Sequence, residues 1–199
     1  MALPSPGGAA PRASSAGQLP GLRAPDAGHG GSRAVARPAL CFDKDMVDPV
    51  EEARVVSAAR EIDAPAERIF ELIADPAQQP RWDGNENLQD APIGQRVQAV
   101  GDVFSMRLST GGIRQNHVVD FVEGRRIAWR PAEVDKAPPG HLWVWELDPL
   151  GPSRTRVTHT YDWTRLADEH RMTRARATTP DRLRASLDRL AALAEEAEQ

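Results

Sequence analysis

Closely spaced turn signals between residues 103 and 163 constrain the fold of this chain more than any other feature of its sequence. Val103 to Leu108 alternates apolar and polar side chains, and the hairpin signal Thr110-Gly111-Gly112 separates it from a second such segment that begins at Ile113. Connections this short join antiparallel strands only, because a parallel pair needs a crossover of a dozen or more residues. The sequence therefore predicts an antiparallel meander.

Helix signals lie on both sides of this strand-rich part. Arg54 to Ile62 is rich enough in β-branched residues for a first strand, and Asp63 after it is a candidate helix cap. Apolar residues then recur at helical spacing until Asp75-Pro76 ends the pattern, and a second short helix is predicted to end at Trp82. A long amphipathic helix is predicted after Thr179. This order indicates an α+β fold with its helices on one side of an antiparallel sheet.

The first 45 residues differ from the rest in composition. Of the first 40 residues, 27 are Pro, Gly, Ala or Ser, and no apolar period runs through them. Such a segment buries too little apolar surface to offset its ordering entropy. We therefore predict a disordered tail over residues 1–45 and a folded domain over residues 46–199. The alternatives are an organelle-targeting segment, which the four arginines and one acid among the first 40 residues loosely match, and a translation start at Met46.

Charge and composition exclude several classes of function. The predicted domain has a net charge of −6, which fits nucleic acid poorly, and no run of 18 apolar residues is present to span a membrane. A single cysteine, Cys41, excludes an intramolecular disulfide and a cysteine-rich zinc site. Metal-ligand spacings and cofactor motifs are absent, so we expect neither a metal nor a cofactor. Low cysteine content suits a reducing cytoplasm, which is the predicted location.

Five stretches of the sequence resemble a known family. They are EIDAPAERIFELIADPAQQPRW (61–82), GDVF (101–104), HLWVWELDP (141–149), TRVTHTYDW (155–163) and TTPDRLRASLDRLAAL (178–193). Over about residues 53–196 the chain resembles the polyketide cyclase/dehydrase and lipid-transport family of the START-like (SRPBCC) helix-grip superfamily. The resemblance implies a seven-stranded curved antiparallel sheet wrapped around the C-terminal helix, with a cavity between them. It implies no particular reaction, because the superfamily mixes ligand carriers with aromatase/cyclases.

In such a fold one face of each strand points toward the cavity, and the alternation of apolar residues selects that face. For the segment Ile113–Phe121 the set that holds Gln115, His117 and Val119 is chosen, because the rival face is more charged. The chosen faces carry four of the five tryptophans and almost no acidic or basic side chain. Aromatic walls with a few polar tips are typical of an apolar small-molecule pocket, although packing in an ordinary core is the alternative for each residue.

We accordingly assign a set of apolar, aromatic and a few polar residues to ligand binding. The set comprises Phe70, Ile73, Trp82, Phe104, Met106, Leu108, Gln115, His117, Val119, Trp129, Trp143, Trp145, Trp163, Leu183, Leu187 and Leu190. Beyond this set, Arg171, Arg174 and Arg176 form a basic cluster before the last helix. We expect a solvated segment there, and the alternative is a handle for an anionic ligand at the cavity entrance.

His159 and Tyr161 are the candidate catalytic residues. They lie two positions apart on one predicted strand, so their side chains project side by side from the same face. An imidazole with a pKa near 6.5 exchanges a proton near neutrality, and a tyrosine hydroxyl donates to a carbonyl or enolate oxygen. Hydrogen bonding to neighbouring groups within the sheet is the alternative role for both.

Three functions fit these observations. The first hypothesis is the binding of an apolar, aromatic or isoprenoid-like small molecule. A second is a cyclase/aromatase that closes rings on a poly-β-keto chain, with His159 as the base and Tyr161 stabilising the enolate. The third is a protein-partner module, which is made less attractive by the polar outward set of Arg107, Glu146, Arg156 and Asp162. A lack of carboxylates and lysines on the chosen faces favours binding over catalysis, and no oligomeric state is predicted.

Overall fold

The structure, a computed structural model, describes residues 52–196, so the predicted tail over residues 1–45 and the candidate start at Met46 lie outside the described residues. The strands are β1 (Val55–Ile62), β2 (Leu88–Asp90), β3 (Val103–Leu108), β4 (Ile113–Val122), β5 (Arg126–Glu133), β6 (Leu142–Gly151) and β7 (Arg154–Asp162). The helices are α1 (Ala66–Ala74), α2 (Gln79–Trp82), α3 (Glu169–Arg176) and α4 (Pro180–Glu195). Within the described part, every helix is too short or too polar to cross a membrane.

The seven strands form one antiparallel sheet in the order β1-β7-β6-β5-β4-β3-β2. Strands β2 to β7 are neighbours in the order in which they follow along the chain, as a meander requires, and β1 closes the other edge by pairing with β7. The helices follow β1 and β7. This arrangement confirms the predicted α+β helix-grip class.

Two elements were not predicted from the residues themselves. Strand β2 has only three residues and an irregular register against β3, and such a short edge strand carries no visible alternation. Helix α3 has no apolar face, since Ala175 is its one buried residue, although the Asp168 side chain caps it by accepting from the His170 N–H at 3.0 Å. The predicted cap of α1 is also wrong. Pro65 stands at that position, and no side chain caps the helix.

A β-bulge interrupts β4 near its middle. Val118 pairs with Trp129, whereas Asp120 pairs with Ala128, so Val119 is an extra residue without a partner of its own. An extra residue shifts the alternation of side chains by one position on either side of the bulge.

The bulge reverses the facing predicted for the first half of β4. Arg114 and Asn116 point inward, and Asn116 is only 6 % exposed. Gln115, His117 and Val119 therefore lie on the outer face of the sheet, and their assignment to the cavity is wrong. The prediction is wrong because it assumed a single alternation of inward and outward side chains along β4. The bulge divides the strand into two segments with opposite alternation.

Helix α4 packs against β1, β7, α1 and α2. The apolar face of the helix is fully buried in this contact, where it contributes Leu183, Leu187 and Leu190 to the core. The approach to the turn after α2 is especially close. Gly84 donates its backbone N–H to Ser186 Oγ at 2.8 Å, and a Cβ at this glycine would lie 2.5 Å from the Ser186 nitrogen. The long helix is thus fixed against one half of the sheet.

Candidate functional site

A cavity of about 490 Å³ lies on the inner face of the sheet, beside the part that α4 covers. Strands β2 to β7, helix α2 with the turn after it, and helix α3 with its flanking residues supply its walls. The lining residues are Gln79, Trp82, Asp83, Asn85, Asn87, Leu88, Met106, Leu108, Arg114, Asn116, Trp129, Pro131, Glu133, His141, Trp143, Trp145, His159, Tyr161, Asp168, His170, Arg171, Arg174, Ala175 and Thr178. None of them belongs to α4. The expectation of a cavity between the sheet and the C-terminal helix is therefore wrong. The apolar face of α4 packs in the hydrophobic core, and the short helix α3 covers the cavity instead.

Stacked rings from β6 and β7 form the centre of one cavity wall. Trp145 and His159 are direct partners across the two strands, and their ring centroids are 3.7 Å apart at an interplanar angle of 12°. Trp143 and Tyr161 form the next direct pair, at 4.3 Å and 33°. Trp82 of α2 meets Trp145 edge-on at 5.0 Å. Regular strand pairing thus builds a row of aromatic rings, in which direct partners turn their faces toward each other.

The structure brings eight of the eighteen residues proposed for the site to this cavity. Those that line it are Trp82, Met106, Leu108, Trp129, Trp143, Trp145, His159 and Tyr161. Besides the three outer-face residues of β4, the remainder lie in the core away from it, namely Phe70, Ile73, Phe104, Trp163, Leu183, Leu187 and Leu190.

Two of these core residues have packing contacts that explain their burial. Phe104 packs edge-on against Trp129 at 5.5 Å and so holds a lining ring in place. Trp163 lies below the Arg54 guanidinium, 5.2 Å from its carbon to the ring centroid. They are packing residues, as the alternative reading of the aromatic pattern allowed.

Sequence reasoning missed the polar part of the lining. Asp83 opens the turn after α2, where its carboxylate accepts from the backbone N–H groups of Asn85 at 3.1 Å and Asn87 at 3.0 Å. The turn itself is visible in the residues Asp83-Gly84-Asn85. Its position over the cavity is not visible, because tertiary packing alone places it there.

Burial keeps the two candidate catalytic side chains uncharged. His159 is 3 % exposed, and this burial lowers its pKa to about 3. Burial raises the pKa of Tyr161 to about 12, against an opposing effect of Arg174 and Arg171. At neutral pH the site therefore presents a neutral imidazole and a neutral phenol, which act as hydrogen-bonding groups.

Four polar side chains that line the cavity are buried without a hydrogen-bond partner among residues 52–196. The unpartnered atoms are Gln79 Nε2, His141 Nδ1, Trp145 Nε1 and His159 Nδ1. Buried polar groups are nearly always hydrogen-bonded, and leaving one unpaired costs about 1 to 3 kcal/mol. Polar atoms of a bound molecule would satisfy them.

One end of the cavity is charged, contrary to the expectation of almost uncharged inner faces. Arg171 of α3 pairs with Glu133 at 2.7 Å and with Asp168 at 3.1 Å, and Arg114 reaches the same end from β4. Arg174 lines the cavity too, whereas Arg176 pairs with Glu52 outside it. Within the described residues no three His, Cys, Asp or Glu side chains are grouped to hold a metal ion.

Comparison with known sequences gives one family and two relatives. The family described as polyketide cyclase/dehydrase and lipid transport matches residues 53–195. Two uncharacterized proteins of Mycobacterium tuberculosis, from strains CDC 1551 and H37Rv, are 32% identical over 110 residues, which is 54% of this chain and 47% of theirs. The chain thus spans about half the length of the curated relatives it matches.

Solved structures share the fold. The Zhui aromatase/cyclase from Streptomyces sp. R1128 is 21% identical with a TM-score of 0.54, over 73% of this chain and 96% of that one. A START superfamily protein from Mycobacterium smegmatis is 18% identical with a TM-score of 0.52, over 71% and 97% of the two chains. Likeness at these identities establishes architecture, whereas activity depends on the residues of the site.

Proposed function

Because the chain belongs to the polyketide cyclase/dehydrase and lipid-transport family, we propose that it binds a planar aromatic small molecule in the cavity beside Trp145 and His159. The observation that carries this proposal is the row of aromatic rings from β6 and β7 that lines a cavity of about 490 Å³. That volume is within the range of about 300–1,000 Å³ typical of small-molecule sites. Aromatic lining favours an aromatic ligand over an isoprenoid, since aromatic pairs in edge-to-face or offset contact gain energy beyond the burial of apolar area.

The unpartnered polar atoms support binding by a molecule with polar substituents. Trp145 Nε1 and His159 Nδ1 belong to the stacked pair itself, and Gln79 Nε2 lies on α2. A ligand that donates to or accepts from these atoms removes a desolvation cost that the protein otherwise bears. The rings would then supply affinity and the polar atoms orientation.

A cyclase of the aromatase type is the second candidate, because His159 and Tyr161 line the same cavity. A base with a pKa of about 3 is a weak proton acceptor at neutral pH, however, and the observed geometry gives it no carboxylate partner. Substituting His159→Phe separates the two functions. A binding protein should lose affinity only modestly because the stack persists, whereas a cyclase should lose nearly all turnover.

The partner-binding alternative receives less support. Outward charges that would border a docking face are engaged in ion pairs, with Glu146 held by Arg126 and Arg156 paired with Glu61. Hydrated ion pairs resist burial, so this face favours contact with solvent.

Native mass spectrometry of protein purified gently from its own host tests the binding proposal. We expect a stoichiometric small-molecule adduct that is lost on denaturation. Leu108→Trp, which fills part of the cavity, should abolish the adduct, and the matched variant Val119→Trp on the outer face should retain it. A clean protein mass without an adduct, or an adduct that survives in Leu108→Trp, would contradict the proposal.

A further inference from the structure

We infer that the ligand of this cavity is an aromatic acid whose carboxylate is bound by Arg114. The inference rests on the proposed function, since it names the chemical class of the molecule that the cavity takes. It comes from the charged end of the cavity, where Arg114, Arg171 and Arg174 line the wall.

Arg174 and Arg114 are the two arginines at this end that pair with no carboxylate among residues 52–196. The Asn87 side-chain oxygen accepts from the Arg174 guanidinium at 2.5 Å, whereas no side chain of the described residues accepts from Arg114. Its one side-chain hydrogen bond to the described part of the chain goes to the Ile113 carbonyl at 3.3 Å, and no carboxylate of residues 52–196 lies within ion-pair distance. The side chain is half-buried on the inner face of β4. A guanidinium that is partly removed from water and unpaired is costly, and a carboxylate that binds both of its N–H edges is the group that best relieves this cost.

The nearby carboxylates are already bound by other donors. Glu133 accepts from Arg171 at 2.7 Å and from Lys136 at 2.6 Å. Asp168 accepts from Arg171 and from the His170 N–H. These carboxylates are therefore engaged and Arg114 keeps unused donors, so an anion from outside the chain has a place to bind.

The arginines at this end act on the pKa of two neighbouring titratable side chains. Burial and then Arg171, Arg114 and Arg174 lower the pKa of His141 to about 4. Arg171 and Arg174 also act to lower the pKa of Tyr161, although burial outweighs them. A positive potential in a partly buried cleft attracts an anion.

His141 supplies an independent sign of a ligand at this end. The side chain is 9 % exposed, its Nδ1 has no hydrogen-bond partner among the described residues, and its ring packs edge-on against Tyr161 at 6.0 Å. As a neutral imidazole it offers one donor or acceptor to a polar group beside the aromatic wall. Arg114 and His141 together suit a carboxylate whose ring system lies against Trp143 and Tyr161.

Titration with a matched pair of probes tests the inference. The probes are 2-naphthoate and 2-naphthamide, which share a ring system and differ in charge, and binding is followed by tryptophan fluorescence. We expect 2-naphthoate to bind the wild type at least about tenfold more tightly than 2-naphthamide. Arg114→Gln should bring the two affinities together by weakening the acid alone. Arg107→Gln, on the adjacent strand β3 and exposed on the outer face, should keep the wild-type ratio.

The outcomes separate the two proposals. Equal affinities for the two probes in the wild type, or a wild-type ratio that persists in Arg114→Gln, would overturn the carboxylate assignment and leave aromatic binding intact. Failure of both probes to bind would overturn the proposed function, and the inference with it. The comparison in the wild type needs no variant, and Arg114→Lys, which keeps the charge but loses the planar pair of donors, should give an intermediate ratio.

Discussion

His159 and Trp145 lie face to face across β6 and β7, with their ring centroids 3.7 Å apart and their planes at 12°. Strand register alone produces this contact, because the two residues are direct partners in the antiparallel ladder. Since burial lowers the pKa of His159 to about 3, the stacked imidazole is neutral. The pair is thus uncharged and brings two unpartnered nitrogen atoms to the cavity wall, which suits recognition better than proton transfer.

The low pKa of His159 predicts a loss of stability on acidification. In the unfolded chain the imidazole binds a proton below about pH 6.5, whereas in the folded protein it stays neutral down to about pH 3. The free energy of unfolding should therefore fall as the pH decreases from 6.5 toward 3, by about 2 kcal/mol at pH 5 from this residue. Urea unfolding at pH 7 and pH 5 measures the effect.

The variant His159→Phe should remove this contribution. Its stability difference between pH 7 and pH 5 should be smaller than that of the wild type by about 2 kcal/mol. An unchanged pH dependence would show that the imidazole becomes protonated in the folded state and would contradict the buried neutral stack.

Close packing at Gly84 predicts a large penalty for a single methyl group. In Gly84→Ala the new Cβ would meet backbone atoms of α4, the Ser186 nitrogen at 2.5 Å and the Arg182 oxygen at 2.6 Å. We expect a loss of about 2 kcal/mol or more in the free energy of unfolding, because neither backbone atom can move without shifting the helix. Gly112→Ala is the control, since its Cβ would find only Thr110 Oγ1 at 4.0 Å. Equal melting temperatures would refute the close contact.

A buried hydroxyl ties the start of β7 to the segment before α1. Thr155 is fully buried, and its Oγ1 donates to the Ala64 carbonyl at 2.9 Å. Thr155→Val keeps the shape but leaves this carbonyl unpaired, so we expect a loss of about 1 to 3 kcal/mol by chemical denaturation. Thr158→Val, on the outer face of the same strand, should change stability by less than about 0.5 kcal/mol. A similar loss in both variants would argue against the hydrogen bond.

The sequence predicted the fold and part of the site where the relevant signals are local. Short turns between alternating segments indicated the antiparallel order, and the alternation of bulky side chains along β6 and β7 placed Trp143, Trp145, His159 and Tyr161 on one face. In β7 the apolar residues mark a single face, and in β6 the largest side chains do so. Because β6 and β7 are neighbours and these residues are direct partners, the strand pairing itself brings the rings into contact.

Other parts of the site depend on features that a single sequence does not display. The bulge at Val119 leaves no mark in the composition of β4, yet it decides that Arg114 rather than Gln115 reaches the cavity. Helix α3 is almost entirely polar, so no apolar period indicates that it covers a cavity. These errors share a physical cause, since long-range packing selects among local conformations of similar energy.

The most direct test of aromatic binding is the chemical-shift change of the tryptophan indole N–H groups on addition of 2-naphthamide, measured by ¹⁵N–¹H correlation spectra. The five signals can be assigned with single Trp→Phe variants. We predict that Trp145, whose Nε1 lacks a hydrogen-bond partner among the described residues, shifts most, with further shifts at Trp143, and that Trp163 in the core stays unchanged. Saturable shifts confined to the cavity tryptophans would bear out the proposal. Unchanged indole signals at saturating probe, or equal shifts at Trp145 and Trp163, would contradict it.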